Sequence, residues 1–279
     1  MSDVSICPLD MLPDDQVRRR LAGAAGFTDY LIVAEWPSLP GARWIIQAPE
    51  AICSILVYPH QFSRPEGARW TAREDGRLHM EPCTDMPTAL LKNGSLEDPL
   101  GRAQLDGVFE GEIEVVGEGA IAVRFSLKNN SEIMWPDLYA WVCLLHHHAP
   151  FPFATYVHTD EGFVKFDSFD GIEGFAEART FTPKGKALRD ALLAEGHRTA
   201  WHPPQQVANP LRAVTAEVGG ERYTVGIASP QALVLGGKET NPCTDMGIGF
   251  GDIPPGGTGT TEAHVHFVKG TLEDLLLRV

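Results

Sequence analysis

The stretch that most constrains the fold of this chain runs from Ile121 to Phe153. Apolar residues alternate with smaller or polar ones over Ile121–Leu127, which is the pattern of a half-buried strand. The run Asn129–Ser131 favours a turn, because these short side chains hydrogen-bond to nearby backbone. Leu138–Leu145 is apolar on both faces, so we predict a second strand that is buried on both sides.

The rest of the chain is rich in short strand patterns and poor in helix patterns. A helix is expected within residues 8–25, with Asp14 or Asp15 as its N-cap, and another over Gly185–Glu195. Gly247–Gly259 is expected to be a loop because it is rich in Gly and Pro. Since helices do not recur between the strands, the pattern predicts an all-β fold, an antiparallel β-sandwich with a few short helices.

Composition excludes several classes of partner. The formal net charge is −14, and nucleic acids and anionic membranes both bind basic patches, so we expect neither as a partner. No run of about 18 apolar residues is present, and the N-terminus lacks the pattern of a signal peptide. The five cysteines are widely spaced without a CxxC pair, which predicts reduced thiols and a cytoplasmic location. Cys143 and Cys243 show no sign of activation, so we expect both to be buried and inert. No linker of biased composition interrupts residues 1–279, so we expect a single domain.

One short sequence occurs twice. Pro-Cys-Thr-Asp-Met is found at Pro82–Met86 and again at Pro242–Met246, although the flanking residues do not extend the match. We interpret the two copies as a coincidence or as two turns of similar geometry. The functional alternative is that both turns face one cleft.

Histidines are concentrated at two places. His146, His147 and His148 end the predicted buried strand, while His264 and His266 lie two residues apart near the C-terminus. Residues two apart on a strand share a face, so neighbouring strands would bring four imidazoles together. A metal-dependent enzyme is therefore one alternative, with a divalent metal bound by four ligands: His146, His148, His264 and His266. Such histidine pairs are also common on ordinary exposed strand faces.

A second hypothesis requires no cofactor. Imidazole titrates near neutral pH, so His148 or His147 is a candidate general acid. The candidate carboxylate partners are Asp245, Glu239, Asp252 and Asp85. For Asp245 and Asp252 the simpler interpretation is turn capping in a Gly/Pro-rich loop.

Aromatic side chains surround the histidine run. They are Trp135, Tyr139, Trp141, Phe151 and Phe153. Because aromatic faces pack against the C–H faces of sugars, this composition suits a carbohydrate cleft. Trp141 has apolar neighbours and is expected in the core instead.

These segments together resemble the galactose mutarotase-like superfamily. The matching segments are Val123–Ser131, Met134-Trp135-Pro136, His148-Ala149-Pro150-Phe151, Ala232–Leu235, Asn241-Pro242 and Pro254-Pro255-Gly256. In that family a strand ends in an Asn turn, a proline follows, and the next strand ends in a His-Pro-aromatic segment. The resemblance covers residues 108–153 and 231–270.

The resemblance implies an aldose epimerase-like β-supersandwich in which a histidine, here His148, protonates the ring oxygen of an aldose. Asn241 stands where the family has a catalytic glutamate, and an amide cannot act as a base. Asp245 or Glu239 is therefore expected to take that role. The family's first histidine and arginine have their candidates in His60, His79 and Arg102.

We therefore expect a carbohydrate-active protein that binds a sugar or sugar acid in a sheet cleft, with proton-transfer chemistry of the epimerase or lyase type. The expected catalytic residues are His148, His147, Asp245 and Glu239. The expected ligand contacts are His146, Asn241, Trp135, Phe151, His60 and Arg102. The alternatives are the metal-dependent enzyme and a non-catalytic sugar-binding module, and a homo-oligomer is compatible with each.

Overall fold

A computed structural model describes residues 4–25, 31–39, 41–50, 52–53, 69–83, 106–132, 134–146, 152–159, 161–165, 176–177, 194, 210–238 and 241–279. Its strands are β1 (Ser5–Pro8), β2 (Leu31–Glu35), β3 (Arg43–Gln47), β4 (Ile52–Cys53), β5 (Trp70–Ala72), β6 (Leu78–Cys83), β7 (Gly107–Val116), β8 (Ala120–Asn129), β9 (Trp135–Leu145), β10 (Ala154–Thr159), β11 (Gly162–Lys165), β12 (Ala176–Glu177), β13 (Leu211–Val218), β14 (Glu221–Ala228), β15 (Ala232–Lys238), β16 (Asn241–Ile253) and β17 (Thr258–Lys269). The helices are a 3₁₀ turn (Leu9–Met11), α1 (Asp15–Ala25) and α2 (Leu272–Leu276).

The strands form two antiparallel sheets. Sheet A has the order β1-β2-β3-β9-β16-β15-β12, with β4 also paired to β9. Sheet B has the order β11-β10-β13-β14-β17-β8-β7-β6-β5. One large cluster of buried side chains takes residues from both sheets, including Ile46 and Val142 from sheet A and Phe125 and Val265 from sheet B. The predicted antiparallel β-sandwich with few helices is thus confirmed.

The central strand patterns have the expected burial. Leu138–Leu145 is buried at every position, as predicted for a strand covered on both faces. Its even-numbered residues enter the core between the sheets, and Cys143 and Leu145 enter a second cluster on the other face of sheet A, where Leu21 of α1 also packs. We call these the inner and outer faces of sheet A. In β17 the buried residues Ala263, Val265 and Phe267 alternate with partly exposed ones.

Both ends of the chain carry helices that start at capped positions. The first begins as predicted, because Asp14 Oδ1 accepts hydrogen bonds from the backbone N–H groups of Gln16 (2.9 Å) and Val17 (3.0 Å). At the C-terminus Thr271 and Asp274 cap α2 reciprocally. Among the described residues no helix has the length and apolar character needed to cross a membrane. The helix expected over Gly185–Glu195 lies outside the described residues except at Ala194.

The loop expected over Gly247–Gly259 is wrong. Strand β16 continues to Ile253, and β17 begins at Thr258, so the turn is only four residues long. Two glycines of β16, Gly247 and Gly249, allow close packing: a Cβ on Gly247 would lie 2.5 Å from Val234 Cγ1 and 2.8 Å from Tyr139 Cδ2. The glycines that predicted a loop are therefore strand residues, and Gly247 and Gly249 lie where neighbouring side chains leave no space for a Cβ.

The two copies of Pro-Cys-Thr-Asp-Met are not matching turns. Pro242–Met246 lies within β16, in extended conformation. In the first copy Pro82 and Cys83 end β6, and residues 84–86 lie outside the described residues. Asp245 therefore does not cap a turn, because it lies inside a paired strand.

Aromatic rings join the two sheets at one end of the core. Trp44 of sheet A meets Phe267 of sheet B edge-on, with ring centroids 5.3 Å apart. Trp36 contacts Phe267 (5.6 Å) and also Tyr223 (5.5 Å). Phe267 is thus at the centre of the contact between the sheets, and 5% of its surface is exposed.

Replacing Phe267 by Ala should lower the free energy of unfolding by about 3–5 kcal/mol, because it leaves a cavity beside the rings of Trp36 and Trp44. Urea denaturation measures this. Leu277→Ala is the matched control: its side chain is 85% exposed, so a change within about 0.5 kcal/mol is expected. A loss below about 1 kcal/mol in Phe267→Ala would contradict this account of the core.

Candidate functional site

The site is built on the pairing of β9 with β16. Cys243 lies opposite Leu145, and Asp245 lies opposite Cys143. The strand that ends in the histidine run is therefore a direct neighbour of the strand that carries the candidate carboxylate. Sequence alone does not give this adjacency, because about a hundred residues separate the two strands.

A row of residues crosses four adjacent strands on the outer face of sheet A. Gln47 pairs with Cys143, Cys143 with Asp245, and Asp245 with Gly236. Gln47 is 3% exposed and Cys143 is 2% exposed, whereas Asp245 is partly accessible. The row is a polar strip next to the apolar cluster under α1.

Two thiols contact the Asp245 carboxylate. Cys243 Sγ donates a hydrogen bond to Asp245 Oδ2 at 3.0 Å, and the ligand atoms of Cys143, Cys243 and Asp245 all lie within 4.8 Å of one another. Asp245 Oδ1 is buried and accepts no hydrogen bond from a described residue. A buried acceptor without a donor costs free energy, so this oxygen is suited to a ligand that supplies a donor or a positive charge.

Burial dominates the electrostatics of this cluster. It raises the pKa of Asp245, although hydrogen bonds from the two thiols and the charge of Arg212 oppose the shift. Burial also raises the pKa of Cys143 well above its ordinary value. For Cys243 a hydrogen bond with Cys143 lowers the pKa, but burial and the Asp245 charge outweigh it, and the net shift is upward. Neither thiol is activated as a nucleophile in this state.

Arg212 supplies the positive charge near the cluster. It extends from β13 of sheet B, is fully buried, and donates from Nη1 to the Gly236 carbonyl oxygen at 2.6 Å. Burial lowers its pKa to about 10, while Asp245 and Cys243 act in the opposite direction. Arg212 therefore stays protonated at neutral pH and links sheet B to the strand pair that holds Asp245.

Aromatic and polar side chains lie on the same face. Tyr139 and Trp141 are on the outer side of β9, with ring centroids 5.8 Å apart in an edge-on arrangement. The Glu50 backbone N–H donates to the Trp141 carbonyl at 2.8 Å. The negative charge of Glu50 also raises the pKa of Cys143 and Cys243, but it contributes less than burial and the charge of Asp245 do. Trp141 is buried as expected.

Two predicted ligand contacts face the core instead. His146 is 3% exposed and follows the inner-face alternation of β9, with its ring 5.0 Å from that of Phe153, edge-on. Trp135 is fully buried between the sheets, where its ring lies against Gly107. Neither side chain lines the outer face that carries Asp245. His146 follows the alternation of the strand, whereas the irregular pairing of β9 with β16 between Trp135 and Tyr139 turns Trp135 to the core side.

The structure does not bring the predicted metal histidines together. His264 and His266 lie on the outward side of sheet B, with ring centroids 5.9 Å apart, while His146 points into the core from sheet A. His264 Nε2 instead lies 2.8 Å from Glu262 Oε1. The two histidines line a cleft of about 610 Å³ together with Ser229 and Arg278. A smaller cleft of about 390 Å³ on the same sheet is lined by Arg124 and by two of its ion-pair partners, Glu112 and Glu262.

Several predicted residues lie outside the described part of the chain. They are His60, Asp85, Arg102, His147, His148, Phe151 and Glu239. The backbone of Asn241 begins β16, but its side chain is also outside the description. The roles assigned to these residues stay predictions.

Sequence reasoning missed the partners of Asp245. Cys143 and Cys243 were assigned as inert thiols, and Gln47 and Arg212 were not singled out. One signal was present: Cys243 and Asp245 are two apart, so a strand would place both on one face. The expected loop over the following glycines concealed that signal.

No protein-family model matches the chain, and no curated protein matches it. Among solved structures it is similar to a candidate aldose 1-epimerase from Klebsiella pneumoniae, with a TM-score of 0.35 and 10% identity over 88% of this chain and 56% of that one. It is also similar to a TPR-domain containing protein from Parabacteroides distasonis, with a TM-score of 0.33 and 10% identity over 87% of this chain and 47% of that one. The chain thus spans about half the length of these proteins. Membership of the mutarotase-like superfamily stays a prediction.

The cleft histidines predict a pH dependence of stability. Burial, then the charges of His264 and Arg278, lower the pKa of His266 to about 4, against 6.5 ordinarily. Between these values the unfolded chain binds a proton that the folded chain does not, so stability falls as the pH drops. His266→Gln should therefore lose less melting temperature than the wild type between pH 7 and about pH 4.5.

Thermal unfolding by circular dichroism across this range measures the effect. His158→Gln is a control, since His158 lies on a different strand, β10, with its ring against Phe163. Equal acid slopes for wild type and His266→Gln would show that His266 is not held neutral in the fold.

Proposed function

We propose that the protein binds a sugar or a sugar-derived acid on the outer face of sheet A. Asp245 accepts a hydrogen bond from a ligand hydroxyl, or takes a proton from the ligand. The supporting observation is the state of its carboxylate. Oδ2 accepts a hydrogen bond from Cys243, while Oδ1 has no donor among the described residues and the side chain is partly accessible. A sugar hydroxyl supplies the missing donor.

The surroundings of Asp245 suit a polyhydroxylated ligand. The row continues through Cys143 to the amide of Gln47, which has both donors and an acceptor. Tyr139 and Trp141 pack edge-on beside the row, but at 1% and 3% exposed they are buried and offer no surface to a ligand. The Arg212 charge favours an anionic ligand such as a sugar acid.

The proposed chemistry is proton transfer of the epimerase or lyase type. Asp245 takes a proton from the ligand, and a histidine of the run that follows β9 returns one to another ligand atom. His147 and His148 are the candidates for that acid, and both lie outside the described residues. A protein that binds the sugar but catalyses no exchange is a non-catalytic sugar-binding module instead.

A second location has one specific observation in its favour. Glu262 and His264 form a histidine–carboxylate pair at 2.8 Å, and His264 opens into the cleft of about 610 Å³ on sheet B. Glu262 is also paired with Arg124, which reduces its availability to a ligand. The Glu262–His264 pair is therefore used as the comparison site in the ligand-binding experiment below.

Asp245→Asn should weaken ligand binding by on the order of tenfold to a hundredfold, since a hydrogen bond to a charged group is worth about 1.5–3 kcal/mol. Ligand-observed NMR with a panel of aldoses and of uronic and aldonic acids identifies the ligand, and titration calorimetry measures the change. Exchange spectroscopy on the bound sugar separates an enzyme from a binding module.

Two matched variants locate the site. Asp252→Asn removes a carboxylate elsewhere on β16 and should leave binding unchanged, as should His264→Gln on sheet B. Loss of binding in His264→Gln with no change in Asp245→Asn would move the site to sheet B. The absence of binding to every sugar in the panel would contradict the proposal.

A further inference from the structure

The thiols beside Asp245 have no role in the chemistry proposed above. Among the described residues, Cys143, Cys243 and Asp245 are the one group of three metal-competent side chains whose ligand atoms all lie within 4.8 Å of one another. Both thiols are free and buried, and Asp245 Oδ1 is a buried acceptor that has no donor among the described residues. This is a preformed set of two sulfur ligands and one oxygen ligand.

We propose that Cys143, Cys243 and Asp245 bind a divalent, thiophilic metal ion such as Zn²⁺. The inference deepens the proposed function by naming an inorganic cofactor for the same sheet face. Only one part of the inference rests on the proposed function, namely that the ion and the sugar share one site. Binding of the ion itself depends on the three side chains alone.

The strand geometry is suited to this ion. Zinc takes sulfur ligands at about 2.3 Å and carboxylate oxygen at about 2.0–2.2 Å, which places tetrahedral ligand atoms about 3.5–4 Å apart. The 3.0 Å contact between Cys243 Sγ and Asp245 Oδ2 needs only to open slightly, and the other separations are within 4.8 Å. Because Cys243 and Asp245 are two apart on β16 and Cys143 lies opposite Asp245, all three project from one face of a rigid strand pair.

Charge balance selects a divalent ion. Two thiolates and one carboxylate carry three negative charges, and a divalent ion with the guanidinium of Arg212 carries three positive ones. Arg212 is fully buried and close enough for Asp245 and Cys243 to affect its ionisation. A buried cluster of zero net charge avoids the large cost of an uncompensated charge. Sulfur ligands favour zinc over magnesium or calcium.

A disulfide is the competing use of two neighbouring cysteines. Cys143 lies opposite Asp245, so Cys143 and Cys243 are diagonal neighbours across the strand pair. Diagonal neighbours have Cα atoms about 7–8 Å apart, whereas a disulfide needs about 4.4–6.8 Å. Closing the bond would require movement of two central strands, while a bridging ion would not.

Three protein ligands leave one position of a tetrahedral zinc open. A sugar hydroxyl or carboxylate oxygen fills it in the proposed shared site. In the loaded protein Asp245 holds the ion and the ion contacts the ligand oxygen. In the metal-free protein Asp245 contacts the ligand directly, so added zinc should change the sugar affinity.

The test uses the full chain, reduced and stripped with chelator, titrated with Zn²⁺ against a chromophoric competitor and separately with Co²⁺. The wild type should bind about one equivalent of zinc and show thiolate-to-cobalt charge-transfer absorption. Cys143→Ser and Cys243→Ser should each bind zinc on the order of 100-fold more weakly and lose that absorption. Failure of the reduced wild type to bind zinc would overturn the proposal.

Control variants use the other cysteines of the chain. Two variants should retain zinc affinity and the cobalt spectrum: Cys7→Ser and the triple variant Cys7→Ser/Cys53→Ser/Cys83→Ser. The reason is that the proposed site takes its sulfur ligands from Cys143 and Cys243 alone. If a variant at Cys143 or Cys243 does not fold, the triple variant decides by itself. Loss of the charge-transfer absorption in a folded triple variant would assign the metal to other thiols and overturn the proposal.

Sugar binding is measured separately, in chelator and in zinc. Zinc binding without any sugar binding supports the metal site and contradicts the carbohydrate function. Sugar binding in chelator without any zinc binding supports the carbohydrate function and contradicts the metal site. Sugar affinity that is the same with and without bound zinc would overturn the shared site.

Discussion

The pairing of β9 with β16 is the interaction on which the site depends. These central strands of sheet A are buried along most of their length, and they bring together segments about a hundred residues apart in sequence. The pairing requires Gly247, where a Cβ would meet Val234 and Tyr139 at under 3 Å. Its register places Cys143 opposite Asp245, so a shift by one residue would move Asp245 to the core side of the sheet.

Arg212 connects this strand pair to the rest of the sandwich. It crosses from sheet B to the Gly236 carbonyl, next to Asp245, in a core formed mainly by apolar and aromatic side chains. A buried guanidinium is costly unless negative charge is nearby. The carboxylate, the thiols and the guanidinium therefore form one electrostatic unit, and a change in one alters the others.

The two proposals for this face have a common physical cause. Within the described part of the chain, Asp245 Oδ1 is buried without a donor, and this strand register places it there. A sugar hydroxyl satisfies it with a hydrogen bond, and a metal ion satisfies it with charge. The two sulfur atoms favour the ion as a resident group, and the partial exposure of Asp245 leaves access for a larger ligand.

Local sequence patterns were enough to predict the class of fold. The alternation in Ile121–Leu127, the apolar run Leu138–Leu145 and the capping residue before α1 are local patterns, and local physics is enough to interpret them. The sequence also indicated Asp245 as a candidate, but it treated the glycines after it as a loop and placed Trp135 and His146 in a cleft. Which strands are neighbours, and which face each residue takes, became known from the three-dimensional arrangement. It brought Cys143, Cys243 and Asp245 together and kept His146 apart from His264 and His266, because sheet register and packing between distant strands are not written in any local pattern.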